Sequence, residues 1–324
     1  MGADLYSSSA AAKRVFDACD EALGFSLSSL CFHGPEETLR QTINAQPAIV
    51  SVSLAFLAAF QDALSPGSST WSSPLKPAFT AGHSVGEWSA LVASGSLDLS
   101  QAIRLVRERG RLMDHEEHLC PGGMAAIIGS DGPTLQKICQ EVSAELSSLR
   151  QPLSHPGLGQ VVVANYNAPG QIVLSGENGA LQQACTLAVQ QGAKKIIPLS
   201  VSGAFHSPGM LPAAAHMADV LQSVDIQSTS IPVISNITAL PLSLPDPLRS
   251  ELSQQLAASV QWVSSIDFLI SAGVTTFIEI GPGKALSGMV KRIAKDVSIF
   301  NISCISDLEK TVTLVREMGV LEHV

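Results

Sequence analysis

The residues best placed to do chemistry in this chain are Gly82-His83-Ser84-Val85-Gly86-Glu87. Their G-x-S-x-G spacing puts a serine at a sharp turn between a strand and a helix, with its hydroxyl exposed as a nucleophile. The flanking residues suit that turn. Ala78-Phe79-Thr80-Ala81 is a short apolar run that reads as the strand. Trp88, Leu91 and Val92 then recur at helical spacing, and Gly95 reads as the stop. Glycines at 82 and 86 leave room for the tight turn and for close backbone packing.

An activated serine needs a base. The best candidate is His206, in Ser202-Gly203-Ala204-Phe205-His206-Ser207. It lies at the junction of the two domains outlined below, where clefts form; the default for any single loop histidine is a surface position. His83 adjoins the serine, but neighbours in an elbow point apart. His115-Glu116-Glu117-His118 sets two histidines three apart on a helix without signalling a third ligand, so no metal is expected there.

Arg109 is the second informative residue. On a helix spanning about 98–118, Ala102, Leu105, Val106, Leu112 and Met113 fall within about 60° of it, whereas Arg104, Arg107 and Arg111 fall opposite. One arginine therefore lies in the apolar stripe. A buried guanidinium requires an anionic partner, either a protein carboxylate or a substrate carboxylate held by two parallel hydrogen bonds. Gly281-Pro282-Gly283-Lys284 lacks phosphate-loop spacing and reads as a strand-to-helix turn. Lys291, Arg292 and Lys295 form a basic cluster on the helix that follows, ordinarily a solvated face.

These residues must be positioned by a framework of 324 residues, long enough for one large or two medium domains. Apolar residues make up 46% but aromatics only 5%, so Leu, Val, Ile and Ala must fill the core. A net charge of −9 argues against nucleic acid as the main partner. Six scattered cysteines without a C-x-x-C pair suit a reducing compartment. The apolar run Ala48–Phe60 is too short for a membrane span and reads as a buried helix with Pro47 in its first turn. No secretory signal or transit peptide is evident.

Residues 10–23 read as helix, and Ser65–Pro77 as a surface loop. From Pro121-Gly122-Gly123 the character changes. Strand Met124–Ile128, helix Leu135–Leu149, strands Val161–Ala164 and Gln171–Ser175, helix Leu181–Gln191 and strand Lys195–Leu199 follow in order. That β-α-β-β-α-β sequence predicts a ferredoxin-like small domain, residues 121–199, inserted into a larger α/β domain made of 1–120 and 200–324. Ile231–Ser235 and Thr276–Ile280 are continuous apolar runs, as expected of strands buried on both faces of a mostly parallel, α/β-hydrolase-like sheet. Helix Ala285–Ala294 and strand Val297–Ile302 complete it.

Taken together, the motifs resemble the malonyl-CoA:acyl carrier protein transacylase family of fatty acid synthesis. The residues that carry the resemblance are Gly82–Glu87, Arg109-Gly110-Arg111-Leu112-Met113, Gly123–Gly129, Gly203-Ala204-Phe205-His206, Ser259-Val260-Gln261-Trp262 and Glu279–Lys284. They span nearly the whole chain in order. The resemblance implies that Ser84 is acylated, His206 is the base, and Arg109 beside Met113 holds the malonyl carboxylate. It implies that the Val85 N–H stabilises the oxyanion and that a main-chain carbonyl at Gln261 orients His206. It associates Phe205 with malonyl rather than methylmalonyl selection. Malonyl-CoA and acyl carrier protein are the implied partners, with Lys291, Arg292 and Lys295 meeting the acidic carrier. No metal or redox cofactor, nucleic acid or membrane is implied, and a monomer is expected.

The resemblance also has departures. Family members begin with a strand and a G-Q-G-x-Q loop that supplies a second oxyanion donor, whereas Met1–Tyr6 here matches the segment just after it. A weak catalyst, or a truncated pseudoenzyme that keeps only the fold, is the corresponding expectation. Extra length at Ser147–Gln160 points to a eukaryotic, mitochondrial matrix source, a bacterial source placing the protein in the cytoplasm. The competing enzyme class is a serine esterase or thioesterase, which predicts an Asp/Glu–His pair late in the chain; His216 and His323 have poor contexts for it.

Overall fold

The computed structural model describes residues 1–65, 75–148, 154–201 and 203–318. Residues 66–74 of the expected surface loop, 149–153 of the extra loop, Ser202 and His323 lie outside them. The chain opens with helices α1 (Ala3–Ser8), α2 (Ala10–Leu23), α3 (Leu27–His33), α4 (Glu36–Arg40) and α5 (Thr42–Leu64). Strand β1 (Thr80–Ala81) leads into α6 (Gly86–Ala93), and α7 (Leu99–Leu119) follows. Next come β2 (Gly122–Ile128), α8 (Gly132–Ser148), β3 (Val161–Ala168), β4 (Gln171–Glu177), α9 (Asn178–Gln190) and β5 (Lys195–Pro198). The last part holds α10 (Leu211–Leu221), β6 (Val233–Ile234), β7 (Pro241–Leu242), α11 (Pro245–Gln254) and α12 (Trp262–Ser271). It ends with β8 (Thr276–Ile280), α13 (Ala285–Ile293), β9 (Ser298–Ile302) and α14 (Ile305–Glu317).

The helix that carries Arg109 starts where its sequence says it should. The Asp98 side chain accepts from the Ser100 and Gln101 N–H groups, satisfying donors that no helical carbonyl reaches. The central helix α5 differs from expectation. It begins at Thr42, so Pro47 sits inside it rather than in its first turn. Asn44 and Gln46 in that added stretch are buried polar residues, which hid the helix from an apolar pattern. At 23 residues α5 is long and apolar enough to cross a membrane, but 78% of its most apolar window is buried inside the protein. It is the core helix around which α2 and α7 pack.

Strands β2 to β5 make one antiparallel sheet in the order β3-β4-β2-β5, with α8 and α9 covering one face. Its core of Ile127, Leu135, Ile138, Val142 and Leu174 is separate from the main core around α5. The remaining strands are less continuous than their apolar runs predicted. Strand β1 pairs parallel with β6, which pairs antiparallel with the two-residue β7. Strand β8 pairs parallel with β9 in a sheet of its own and is half-buried rather than enclosed on both faces. Both β1 and β8 therefore end a sheet, each with one edge unpaired among the described residues.

A seam ties this sheet to the rest of the chain. A parallel bridge sets Asn165 of β3 beside Val260, and the Ser259 hydroxyl donates to the Val163 carbonyl at 2.6 Å. Ser259 and Val260 therefore run along the edge of the small sheet, just after the residues that enter the site described below.

Candidate active site

Strand β1 delivers Ser84 to the start of α6. Ser84 has φ 53°, left-handed for a residue with a side chain, as a sharp strand-to-helix turn demands. Gly82 is obligatory at this turn, since a Cβ there would lie 2.0 Å from the Gly86 carbonyl oxygen. Gly86 faces open space. The two glycines of the motif thus do different work: one admits a backbone crossing, the other only opens the helix.

His206 reaches the serine from the loop after β5. Its Nε2 is 2.7 Å from Ser84 Oγ, and its Nδ1 is 2.9 Å from the Gln255 carbonyl and 3.0 Å from the Ala258 carbonyl. Two carbonyls on one side accept only, so Nδ1 carries the hydrogen and Nε2 presents its lone pair to the serine hydroxyl. Burial, then the Arg109 charge, then His83 push the His206 pKa down to about 3. The imidazole is neutral, and so in the form of a base, throughout the ordinary pH range.

The orienting carbonyl is not the one expected. The Gln261 carbonyl accepts from the Ser265 N–H and hydroxyl of its own helix α12, and the Gln261 N–H donates to the Asn236 carbonyl. The physical reason is local. Gln261 caps a helix, which engages its carbonyl with two donors, whereas Gln255 opens a short 3-10 turn that Ala258 closes; the Gln255 carbonyl takes only the long 3.4 Å bond from the Ala258 N–H there and keeps a lone pair for the imidazole.

Arg109 is 1% exposed, in the apolar stripe of α7 as the helix pattern requires. Its Nη1 donates to Gln46 Oε1. Its Nη2 donates to Gln255 Oε1 at 3.1 Å and to Ser84 Oγ at 3.2 Å, and its Nε has no partner among the described residues. Amide oxygens, not a carboxylate, hold this cation. Burial pushes its pKa down to about 10, with Glu87 pulling the other way, so it is charged at neutral pH. Met113, also on α7, accepts from Gln46 Nε2 at 3.2 Å and so sets the amide's orientation. Arg104 and Arg111 are on the solvent side as predicted, and Arg107 stacks over Phe25.

Backbone donors complete the arrangement. The Ser84–Val85 peptide has its carbonyl held by Gln255 Nε2 at 3.0 Å and by the Glu87 N–H at 3.1 Å. Its N–H, on Val85, has no acceptor among the described residues, and a trans peptide aims it away from those two donors. Beneath the elbow, Glu87 and Glu251 are buried together. Burial raises both pKa values; the Glu251 charge adds to the rise at Glu87, well above the ordinary range, whereas hydrogen bonds, that of Ser235 first, work against the rise at Glu251.

Phe205 is buried beside His206, its ring filling the space a side chain at Gly203 would need. The basic cluster divides. Arg292 ties α13 to the small sheet by donating to Gln171 and to the Pro169 carbonyl, while Lys291 and Lys295 are exposed. The helical His115–His118 stretch makes no metal cluster among the described residues. Instead Glu116 pairs with His155 at 2.9 Å, buried.

Sequence reasoning missed Gln46, Asn236 and Gln255. Asn236 had a signal: a polar residue just past the end of an apolar strand run, where ligand and catalytic groups gather in α/β folds. Gln46 and Gln255 had none, since a lone glutamine in a helix is ordinary.

A serine on a left-handed turn, a neutral histidine turned by main-chain carbonyls, and a buried arginine on the same hydroxyl form an arrangement able to carry acyl groups on a serine. The chain belongs to the acyl transferase domain family, whose pattern matches residues 1–314. It is 42% identical over 318 residues to the malonyl CoA-acyl carrier protein transacylase of Bacillus subtilis, covering 98% of this chain and 93% of that protein. The acyl-carrier-protein-S-malonyltransferase of Bartonella henselae superposes with a TM-score of 0.87 at 36% identity, over 98% of this chain and 95% of that one. A malonyl-transacylase solved in complex with a type II PKS acyl-carrier protein superposes equally well, TM-score 0.87 at 33% identity, over 97% of this chain and 94% of that one.

Proposed function

We propose that this chain moves a malonyl group from malonyl-CoA to the phosphopantetheine thiol of an acyl carrier protein, through a malonyl ester on Ser84. The observation that carries the reading is Arg109 Nη2 at 3.2 Å from Ser84 Oγ, buried, with its Nε unpartnered among the described residues. A permanent cation beside the nucleophile suits an acyl group with its own carboxylate. An esterase acting on neutral acyl groups would leave that cation unpaired, at high cost.

In the first half-reaction His206 Nε2 takes the Ser84 proton as Oγ attacks the thioester carbonyl. The Val85 N–H donates to the oxyanion. The C–S bond breaks, and the CoA sulfur takes the proton back from His206. In the second, the carrier's thiol gives its proton to His206, its sulfur attacks the ester, and Ser84 Oγ leaves and is reprotonated. Met113 and Phe205 shape the acyl pocket around Arg109. Lys291 and Lys295 offer the carrier an exposed positive surface, with Arg292 already committed to the small sheet.

The domain reading is an α/β-hydrolase-like lobe from 1–120 and 200–324 with a ferredoxin-like lobe at 121–199, supported by the strand order and separate core of β2 to β5. The named relatives are bacterial, which favours a cytoplasmic setting over the mitochondrial one. The deciding experiment is intact-mass analysis after incubation with malonyl-CoA or acetyl-CoA. A malonyl adduct on the Ser84 peptide, transferable to carrier thiol, is expected. Hydrolysis without transfer would make the protein a thioesterase instead.

A further inference from the structure

Ser84 occupies a backbone conformation that side-chain-bearing residues avoid, and such conformations persist only where the surroundings over-determine them. Asn236 is what surrounds it. It is 2% exposed and follows β6, which runs parallel beside β1 with Ile234 opposite Ala81. That register carries the next residues of both strands forward together, so Asn236 arrives over the elbow.

Every hydrogen-bonding group of Asn236 is used. Its Oδ1 accepts from the Ser84 N–H at 2.7 Å, and its Nδ2 donates to the Gly82 carbonyl at 2.7 Å. Its own N–H donates to Glu87 Oε1 at 3.1 Å, and its carbonyl accepts from the Gln261 N–H at 2.8 Å. The chain is thus gripped before the nucleophile, at it, and in the first turn of the helix after it. We propose that Asn236 is the positioning residue that holds the Ser84 backbone in its left-handed state and so keeps the hydroxyl on His206. It also occupies the Ser84 N–H, leaving the Val85 N–H as the donor that faces the reacting carbonyl. The proposal rests on Ser84 being the nucleophile, not on malonyl being the acyl group.

Three elements supply the ionisable groups around Asn236. Glu87 comes from α6 and Glu251 from α11, while Arg109 of α7 acts on Glu87 from beyond. This setting makes Asn236→Asp informative. A neutral carboxyl can still accept from the Ser84 N–H and donate to the Gly82 carbonyl; an ionised one repels that carbonyl and the neighbouring acids.

The test reads the rate at which a fluorophosphonate labels Ser84, so it does not depend on the identity of the acyl donor, with malonyl-CoA kinetics alongside. Asn236→Ala is expected to slow labelling about a hundredfold, the usual consequence of a misplaced nucleophile, with KM for malonyl-CoA within about threefold because the Arg109 fork is untouched. Asn236→Asp is expected to recover labelling as pH falls from about 8 to 5, a rise the wild type lacks because its His206 is neutral throughout that range. That pH response separates positioning from a loss of folding, should the alanine variant fold poorly. Labelling of Asn236→Ala within about threefold of wild type, or an Asn236→Asp profile parallel to wild type, overturns the proposal.

Discussion

Replacing Arg109 with alanine tests the acyl selectivity where the physics is most exposed. In the wild type the guanidinium is 1% exposed and bonded to neutral oxygens of Gln46, Gln255 and Ser84. A malonyl carboxylate would add two charge-assisted bonds, each contributing about 1.5–3 kcal/mol. Their joint loss, taken as about 3–4 kcal/mol, lowers malonyl kcat/KM by two to three decades at about 1.4 kcal/mol per decade. An acetyl group makes neither bond, so its transfer should hold or rise by up to about tenfold as the unpaired cation disappears.

The same variant should change a pH profile. Arg109 is the second cause, after burial, of the depressed His206 pKa. Its removal lets that pKa rise from about 3 toward the ordinary histidine value. Catalysis requires the unprotonated base, so activity is lost as pH falls through that pKa. The acid limb of acetyl transfer must therefore move to higher pH in Arg109→Ala. The assay is kcat/KM for both acyl-CoA donors between about pH 4 and 9, with melting curves to confirm folding. Equal loss of both activities in a folded variant, or an acid limb that stays put, would refute the argument.

Other outcomes follow from the same geometry. Ser84→Ala should show no malonyl mass on the peptide containing residue 84, and His206→Ala should slow acylation by about two to four decades; adduct formation in the serine variant would reassign the nucleophile. Gly82→Ala should cost more than about 3 kcal/mol, because its Cβ meets the Gly86 carbonyl at 2.0 Å, whereas Gly86→Ala should stay within about 0.5 kcal/mol in urea unfolding. Equal effects at the two positions would contradict the backbone crossing. Reversing Lys291 and Lys295 to glutamate should raise KM for the carrier by about five- to tenfold while leaving Ser84 malonylation from malonyl-CoA unchanged. A matching fall in both half-reactions would place the carrier elsewhere.

Much of this protein is settled by local pattern. The elbow, helix α2 with bounds Ala10–Leu23, the Asp98 cap and the element order of the small sheet follow from periodicity and turn chemistry, which act over a few residues. Arg109 could be placed in an apolar stripe because helical geometry converts spacing directly into direction. What local pattern could not decide is which distant groups meet. The carbonyls that turn His206 come from residues 49 and 52 positions away, and the clamp on Ser84 from one 152 positions away. Gln261 and Gln255 differ little as sequence, yet one caps a helix and the other faces the imidazole, because only the packing of the short 3-10 turn against α10 and α11, with Leu256 in the main core, turns those carbonyls inward. The core helix likewise extends through Asn44 and Gln46 because tertiary partners satisfy their polar groups, Gln46 receiving Arg109. Residue types along the chain therefore determined what chemistry was available. The folded packing decided which atoms perform it, since hydrogen-bond partners are chosen by distance and angle in three dimensions rather than by spacing along the chain.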